Sequence, residues 1–236
     1  MMQNKILKDR NGREIKYLGQ DEAHKILSLL KGQYHLYAEV LWNTGMRSGE
    51  ALELTPQAMN YDDNTITVRS LMKKDKLPKK GKDLKNEIMG LSLAVKKAPG
   101  SEVLIGKLEQ AKKDLSEIEG EPAITQYRVI PILAELKDKI VSHCAGARIK
   151  RNDRIFPFTH TNAYLVIRKA AEEGGIEKGR GIPSAFRHGF AVNATRAGMP
   201  PAVLRGLMGH TNIVSTLVYT NVLEQDAREY LERMKF

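Results

Sequence analysis

Between Pro183 and Thr220 the chain is divided by its own helix punctuation into three short pieces. Pro183-Ser184 makes a helix start and Gly198 a stop, which predicts a helix over Pro183–Ala197. Pro201–Met208 reads as a second helix, halted at Gly209, and Ile213–Thr220 as a short third. Each piece carries a reactive side chain: Arg187 followed by His188, then His210 directly after Gly209, then Tyr219 nine residues later. Arginine grips phosphate oxygens through a planar fork, histidine moves a proton near neutral pH, and tyrosine can be a covalent nucleophile. The combination points to phosphate chemistry.

The charge agrees with a polyanionic partner. The 236 residues hold 38 Lys and Arg against 28 Asp and Glu, a formal net charge of +10, and nucleic acid is the commonest partner of such a chain. Cys144 is the one cysteine, so no disulfide forms within the chain, and a reducing compartment is expected. Six scattered histidines offer no zinc site, and neither a metal nor a cofactor is expected. The N-terminus MMQNKILKDRNGREIKY lacks an apolar signal region, and no apolar run is long enough for a membrane helix. A cytoplasmic location follows, in a bacterial-type cytosol or nucleoid, or a nuclear one.

The remaining chain reads mainly as helix. Residues 1–20 lack periodicity and are expected to be a mobile arm. Helical spacing starts at Asp21 with Ala23, Ile26, Leu27 and Leu30, and continues over Tyr34–Asn43. In TGMRSGEALELTP, Gly45 stops one helix and another begins near Arg47. Arg47 is thereby placed where free backbone N–H groups and a positive dipole end suit an anion, with Glu50 one turn on to hold it. Thr65–Ser70 and Ala123–Ile132 read as two strands that pair, so 71–122 is an excursion from a β-hairpin. The excursion begins with seven Lys and two Asp between Lys73 and Lys85, a flexible basic loop. It continues as an amphipathic helix with Leu104, Leu108, Ala111, Leu115 and Ile118 in a heptad-like stripe that packs in cis or in a coiled coil. Helices over Leu133–Ser142, Asn162–Glu173 and Leu223–Met234 complete the chain. The expected fold is mainly α, of the α+β class: one helical domain over residues 21–236 with a small antiparallel sheet.

TGMRSGEALELT, RHGFAVNATRAGM and LMGHTNIVSTLVYTNV, in this order, resemble the tyrosine recombinase (phage integrase) family from about Asp21 to Val222. The resemblance implies a DNA breaking-rejoining enzyme fold and site-specific recombination of double-stranded DNA without metal or ATP. In such enzymes a tyrosine attacks a phosphodiester, forms a 3′-phosphotyrosyl bond and releases a 5′-hydroxyl, which a second strand's 5′-hydroxyl later displaces. Carried onto this chain, Tyr219 is the nucleophile. Arg47 and Arg187 clamp the nonbridging oxygens, His210 donates to the same phosphate, and Glu50 is a buttress.

The family's general acid is a lysine of the β-hairpin. Here Lys73 and Lys74 lie nearest the first strand, with Lys76, Lys79, Lys80 and Lys82 as further DNA contacts. Three residues before the second arginine, where the family has histidine, stands Ser184, which can hydrogen-bond a phosphate oxygen but is no base near neutral pH. His188, next to Arg187 on a helix, is read as structural and facing elsewhere. Simpler roles remain open for the others: Arg47 capping its turn through Glu50, His210 as a helix cap, and Tyr219 as a core residue. The functional alternatives are a catalytically weak or inactive DNA-binding homologue, and a type IB topoisomerase-like relaxing enzyme. The resemblance also implies a monomer that forms a homo-tetramer on DNA, with Leu223–Phe236 docking on a neighbour there or packing in cis in the unbound monomer. The short stretch before Asp21 suggests a minimal recombinase or an excised catalytic half.

Overall fold

The computed structural model describes residues 7–9, 11–71, 79–119 and 125–225. It divides into two compact units, Met1–Ser70 with Tyr127–Phe236, and Leu71–Gln126.

The first unit begins with a two-stranded antiparallel hairpin, β1 (Leu7–Lys8) and β2 (Glu14–Ile15), with Leu7 opposite Ile15. Asp9 closes its turn by accepting from the N–H groups of Asn11 and Arg13 at 2.8 and 2.9 Å. The mobile arm expected over residues 1–20 is therefore corrected for its described part. Leu7, Tyr17 and Leu18 are buried, and the buried Arg180 donates to the Tyr17 carbonyl at 3.0 and 2.6 Å and to Glu22 at 2.6 Å. Strands of two residues are too short to show a period, and their anchoring partners lie far along the chain.

Helices then follow close to the expected positions. These are α1 (Gln20–Leu29), α2 (Gly32–Thr44) and the one-turn α3 (Ser48–Leu52), which leads through a 3-10 turn at Pro56–Ala58. Strands β3 (Met59–Asn60) and β4 (Thr65–Leu71) form an antiparallel pair, and β5 (Thr125–Pro131) lies on the other side of β4. Ile132, just past β5, donates its N–H to the Asn64 carbonyl before β4 at 2.9 Å, the meeting of end with start that an antiparallel hairpin requires. After β5 come α6 (Ala134–Gly146), α7 (His160–Glu173), α8 (Pro183–Arg196), α9 (Pro201–Met208), the single turn α10 (Val214–Leu217) and a 3-10 helix over Val218–Gln225. The C-terminal helix expected from Leu223 falls, from residue 226, outside the described residues.

Helix α8 is buried nearly all round through Ala185, Phe186, Arg187, Gly189, Ala191, Val192 and Thr195. The main core gathers Leu18, Ile26, Tyr37, Leu41, Ile66, Ile130, Phe156 and Phe186, with Cys144 half-buried against it. A second cluster joins Leu7, Tyr17, Ala191, Val192, Leu204, Met208 and Tyr219.

The second unit contains α4 (Lys79–Lys97) and α5 (Glu102–Glu119), which pack on each other. Leu84 and Ala111 are buried, and Ile88, Leu91, Val95, Leu104, Leu108 and Leu115 half-buried, so the heptad-like stripe from Leu104 to Leu115 is at least partly covered in cis. The flexible basic loop is corrected from Lys79 onward, where the lysines occupy the first turns of α4; apolar residues at helical spacing from Leu84 carry the helix. Lys73, Lys74 and Lys76 lie outside the described residues. No described helix is long and apolar enough to cross a membrane.

The N-terminal strand-to-helix passage, α2 and α8 meet at Gly189. A Cβ there would stand 2.4 Å from Trp42 Cζ3 and 2.7 Å from the Leu18 carbonyl oxygen, the latter part of the backbone. Gly189→Ala is expected to cost roughly 1–3 kcal/mol through overpacking. Denaturant unfolding will register it as a lower midpoint at an unchanged slope.

Candidate active site

The C-terminal turn of α9 is gripped by three arginines from three different elements. Arg128, on β5, donates Nε to the Leu207 carbonyl at 2.9 Å. Arg187, on α8, donates Nη2 to the next carbonyl, Met208, at 2.7 Å, and Nη1 to Gly45. Arg47, the N-cap of α3, donates Nη2 to the carbonyl after that, Gly209, at 2.8 Å. Helix ends explain the choice of acceptors. The last carbonyls of a helix lack intrahelical donors and carry the negative end of its dipole.

Two glycines make the approach possible. Gly45 ends α2 at φ +63° and Gly209 ends α9 at φ +62°, both left-handed caps. A Cβ on Gly45 would stand 2.4 Å from Phe190, and one on Gly209 would stand 2.9 Å from Arg128 Nη1.

Glu50 bridges two of the arginines. Its Oε1 accepts from Arg47 Nη1 at 2.8 Å and from Arg128 Nη1 at 3.0 Å, and its Oε2 accepts from Arg128 Nη2 at 2.5 Å and from the Arg47 backbone N–H at 2.8 Å. Glu50 thus both caps α3 and aligns Arg47 with the buried strand. The Arg47 side chain is 46% exposed and presents the cluster to solvent. Arg187 is only 6% exposed, and burial, then the Arg47 charge, lower its pKa to about 10, so it stays charged at neutral pH.

Two imidazoles adjoin this charge. His210 caps α9 with its backbone N–H, which donates to Arg205 at 3.1 Å, while its Nδ1 sits 2.9 Å from Thr216 Oγ1. Burial lowers its pKa to about 3, and the charges of Arg187, Arg47 and Arg128 push the same way, a direct sign of positive potential at the ring. His188, expected to face elsewhere, places Nδ1 2.7 Å from the Tyr219 hydroxyl. Its pKa falls to about 4, through burial and then Arg187. Tyr219 itself is 1% exposed, and burial raises its pKa to about 12.

Arg47, Glu50, Arg187, His210 and Tyr219 are thus set around the ends of α2, α8 and α9. Ser184 is exposed on the first turn of α8, one turn before Arg187. Lys79, Lys80 and Lys82 belong to the second unit. The sequence reading missed Arg128 and the aim of His188. The one signal for Arg128 was its place in β5, where it alternates with the exposed Tyr127 and Val129 and so faces inward.

The two depressed histidines make stability pH-dependent. Above the ordinary pKa of 6.5 both rings are neutral, folded or unfolded. Below it the unfolded chain binds protons that the folded one refuses until about pH 4 and pH 3, so stability falls as pH falls through that window. Unfolding by denaturant at pH 7 and pH 5 will show this loss, and His210→Gln with His188→Gln will reduce it. An equal loss in the double variant would contradict the assignment.

The chain and its fold resemble known proteins. The model of the phage integrase family covers residues 16–226. An integrase/recombinase of Escherichia coli is 28% identical over 226 residues, covering 88% of this chain and 60% of that protein. The chain thus spans about three fifths of the length of the curated relatives it matches first. The crystal structure of XerA recombinase superposes with a TM-score of 0.60 at 19% identity, over 93% of this chain and 64% of that one. XerH site-specific recombinase, bound to its difH substrate before cleavage, gives 0.57 at 15% identity, over 93% and 59%. With a family model spanning nearly the whole chain and this fold beneath it, the protein belongs to the phage integrase family.

Proposed function

We propose that the chain is the catalytic part of a site-specific DNA recombinase that cleaves and rejoins double-stranded DNA through a 3′-phosphotyrosyl intermediate. The convergence of Arg47, Arg128 and Arg187 on one helix end, beside a tyrosine bonded to a histidine, carries this reading. It is supported by the family and by structural neighbours that include DNA-bound recombinases.

In the proposed reaction the Tyr219 oxygen attacks the scissile phosphorus as the bond to the 5′-oxygen breaks, and the phenolic proton passes to solvent water. A hairpin lysine, Lys73 or Lys74, protonates the departing 5′-oxygen. Arg47 and Arg187 bear on the nonbridging oxygens, where negative charge concentrates. Their value is positional: glycine caps, carbonyls and Glu50 hold both before DNA arrives, so little reorganisation accompanies the reaction. His210 stays neutral without DNA and so serves the phosphate as a neutral hydrogen-bond donor rather than a fixed cation. Ser184, exposed one turn from Arg187, adds a hydroxyl for the same phosphate. Arg128 is a strut: it fixes Glu50, and Glu50 fixes Arg47. Strand exchange needs four such sites on two duplexes. We assign the apolar stripe Leu223, Ala227, Tyr230, Leu231 and Met234 to contacts between protomers of a DNA-bound tetramer, working in the cytosol or nucleoid.

A nicked suicide duplex, which traps the covalent intermediate, tests the reading. Wild-type protein is expected to form an adduct that resists denaturation, and Tyr219→Phe to form none. Absence of a wild-type adduct despite DNA binding would leave a non-catalytic homologue. Relaxation of supercoiled DNA without strand exchange would favour the topoisomerase-like alternative.

Arg187→Ala and Arg47→Ala are each expected to slow adduct formation by roughly 100-fold or more, the scale of losing one preorganised donor. Arg128→Ala acts only through Glu50 and is expected to cost roughly 10-fold, the scale of losing an outer partner of a site residue. Single-turnover rates on the same duplex check the order, which is contradicted if Arg128→Ala proves the most damaging.

A further inference from the structure

Tyr219 stands where its oxygen cannot meet a phosphate. The residue is 1% exposed, and its ring belongs to the second core cluster with Leu7, Tyr17, Ala191, Val192, Leu204 and Met208. The hydroxyl is 2.7 Å from His188 Nδ1, whereas the other imidazole of the site, His210, bonds Thr216. His188 is half-buried as a residue and held neutral, so Nδ1 is able to accept the phenolic proton's hydrogen bond without taking the proton. A buried hydroxyl needs such a partner, because losing it leaves the full desolvation penalty of the group. The segment that carries Tyr219 is a 3-10 helix, Val218–Gln225, following the single turn α10. Its hydrogen-bond geometry is poorer than that of an α-helix, so its backbone opposes a rearrangement less than an α-helix would.

We propose that His188 is a positioning residue for Tyr219: it holds the phenol withdrawn in the core of the free protein and so sets the fraction of bound complexes in which the nucleophile is delivered to the phosphate. This inference rests on Tyr219 being the nucleophile. Two populations are implied, one with the hydroxyl on His188 and one with the 3-10 helix shifted toward the ends of α8 and α9. DNA favours the second because only there does the hydroxyl meet phosphate, and the hydrogen bond to His188 opposes it. Removing that bond destabilises the withdrawn state alone and moves the population toward delivery.

The test is the first-order rate of adduct formation on the nicked suicide duplex at saturating concentration, measured beside the affinity for the same duplex. His188→Leu keeps the bulk but offers no partner to the phenol. Its rate is expected to rise by about five-fold or more, the population shift that follows from orphaning one buried hydroxyl, with affinity unchanged. His188→Asn, whose side-chain amide reaches the place of Nδ1, is expected to bring the rate back toward wild type. An unchanged or slower rate in His188→Leu would overturn the proposal, as would equal acceleration in both variants. His188→Ala replaces the leucine variant if that one fails to fold. Tyr219→Phe keeps the two readings apart: an adduct persisting in it would overturn the nucleophile assignment, whereas loss of the adduct there with no acceleration in His188→Leu would overturn the positioning role alone.

Discussion

The last turn of α9 is the keystone of this protein. Three consecutive carbonyls, of Leu207, Met208 and Gly209, take one hydrogen bond each from Arg128, Arg187 and Arg47. These arginines come from β5, α8 and the start of α3, so a single helix end sets the relative positions of the small sheet, the central helix and the turn between α2 and α3. The interaction also solves a problem of burial. A guanidinium that is 6% exposed, like Arg187, needs compensation for lost hydration. The negative ends of α2 and α9 provide it, and among the described residues no carboxylate is hydrogen-bonded to Arg187, although the Glu50 charge acts on it from nearby. Positive charge is thereby stored in a fixed place, as a site for a phosphodiester requires.

The same field shapes the neighbouring groups. The pKa of His210 is pushed down by burial and by all three arginines, and that of His188 by burial and Arg187. Tyr219 feels a pull from Arg187 that favours the phenolate, but burial outweighs it and leaves the pKa at about 12. On the proposed function, the resting protein therefore joins a ready anion site to an unready nucleophile. Bringing the phenol out of the core relieves the desolvation that raised its pKa while keeping it near the arginines. Under the proposed delivery, movement and activation are one event, and an exposed reactive phenolate never has to persist in the absence of DNA.

Features set by local chemistry were legible in the sequence. Pro183, Gly198, Pro201 and Gly209 mark helix ends through backbone restrictions that act within a few residues, and the helix over Pro201–Met208 lies where they place it. Arg47 at a helix start with Glu50 one turn on was readable for the same reason. Arg128 was not, because its partners Glu50 and Leu207 lie 78 and 79 residues away. The aim of His188 is not legible, because consecutive helix positions face different ways and nothing local says what each way meets. On α8, surrounded by core, Arg187 and His188 both find partners, on different sides. The packing of Leu7 and Tyr17 against the Tyr219 segment was equally hidden, since a hairpin with two-residue strands has no periodicity to read.

All of this converges on one oxygen atom. If the buried phenol is the group that the arginine cluster serves, the covalent DNA adduct must sit on it and nowhere else. Proteolysis of the trapped complex followed by mass spectrometry of the nucleotide-bearing peptide decides this directly. The structure predicts the nucleotide on Tyr219, whereas attachment to any other residue would contradict the account.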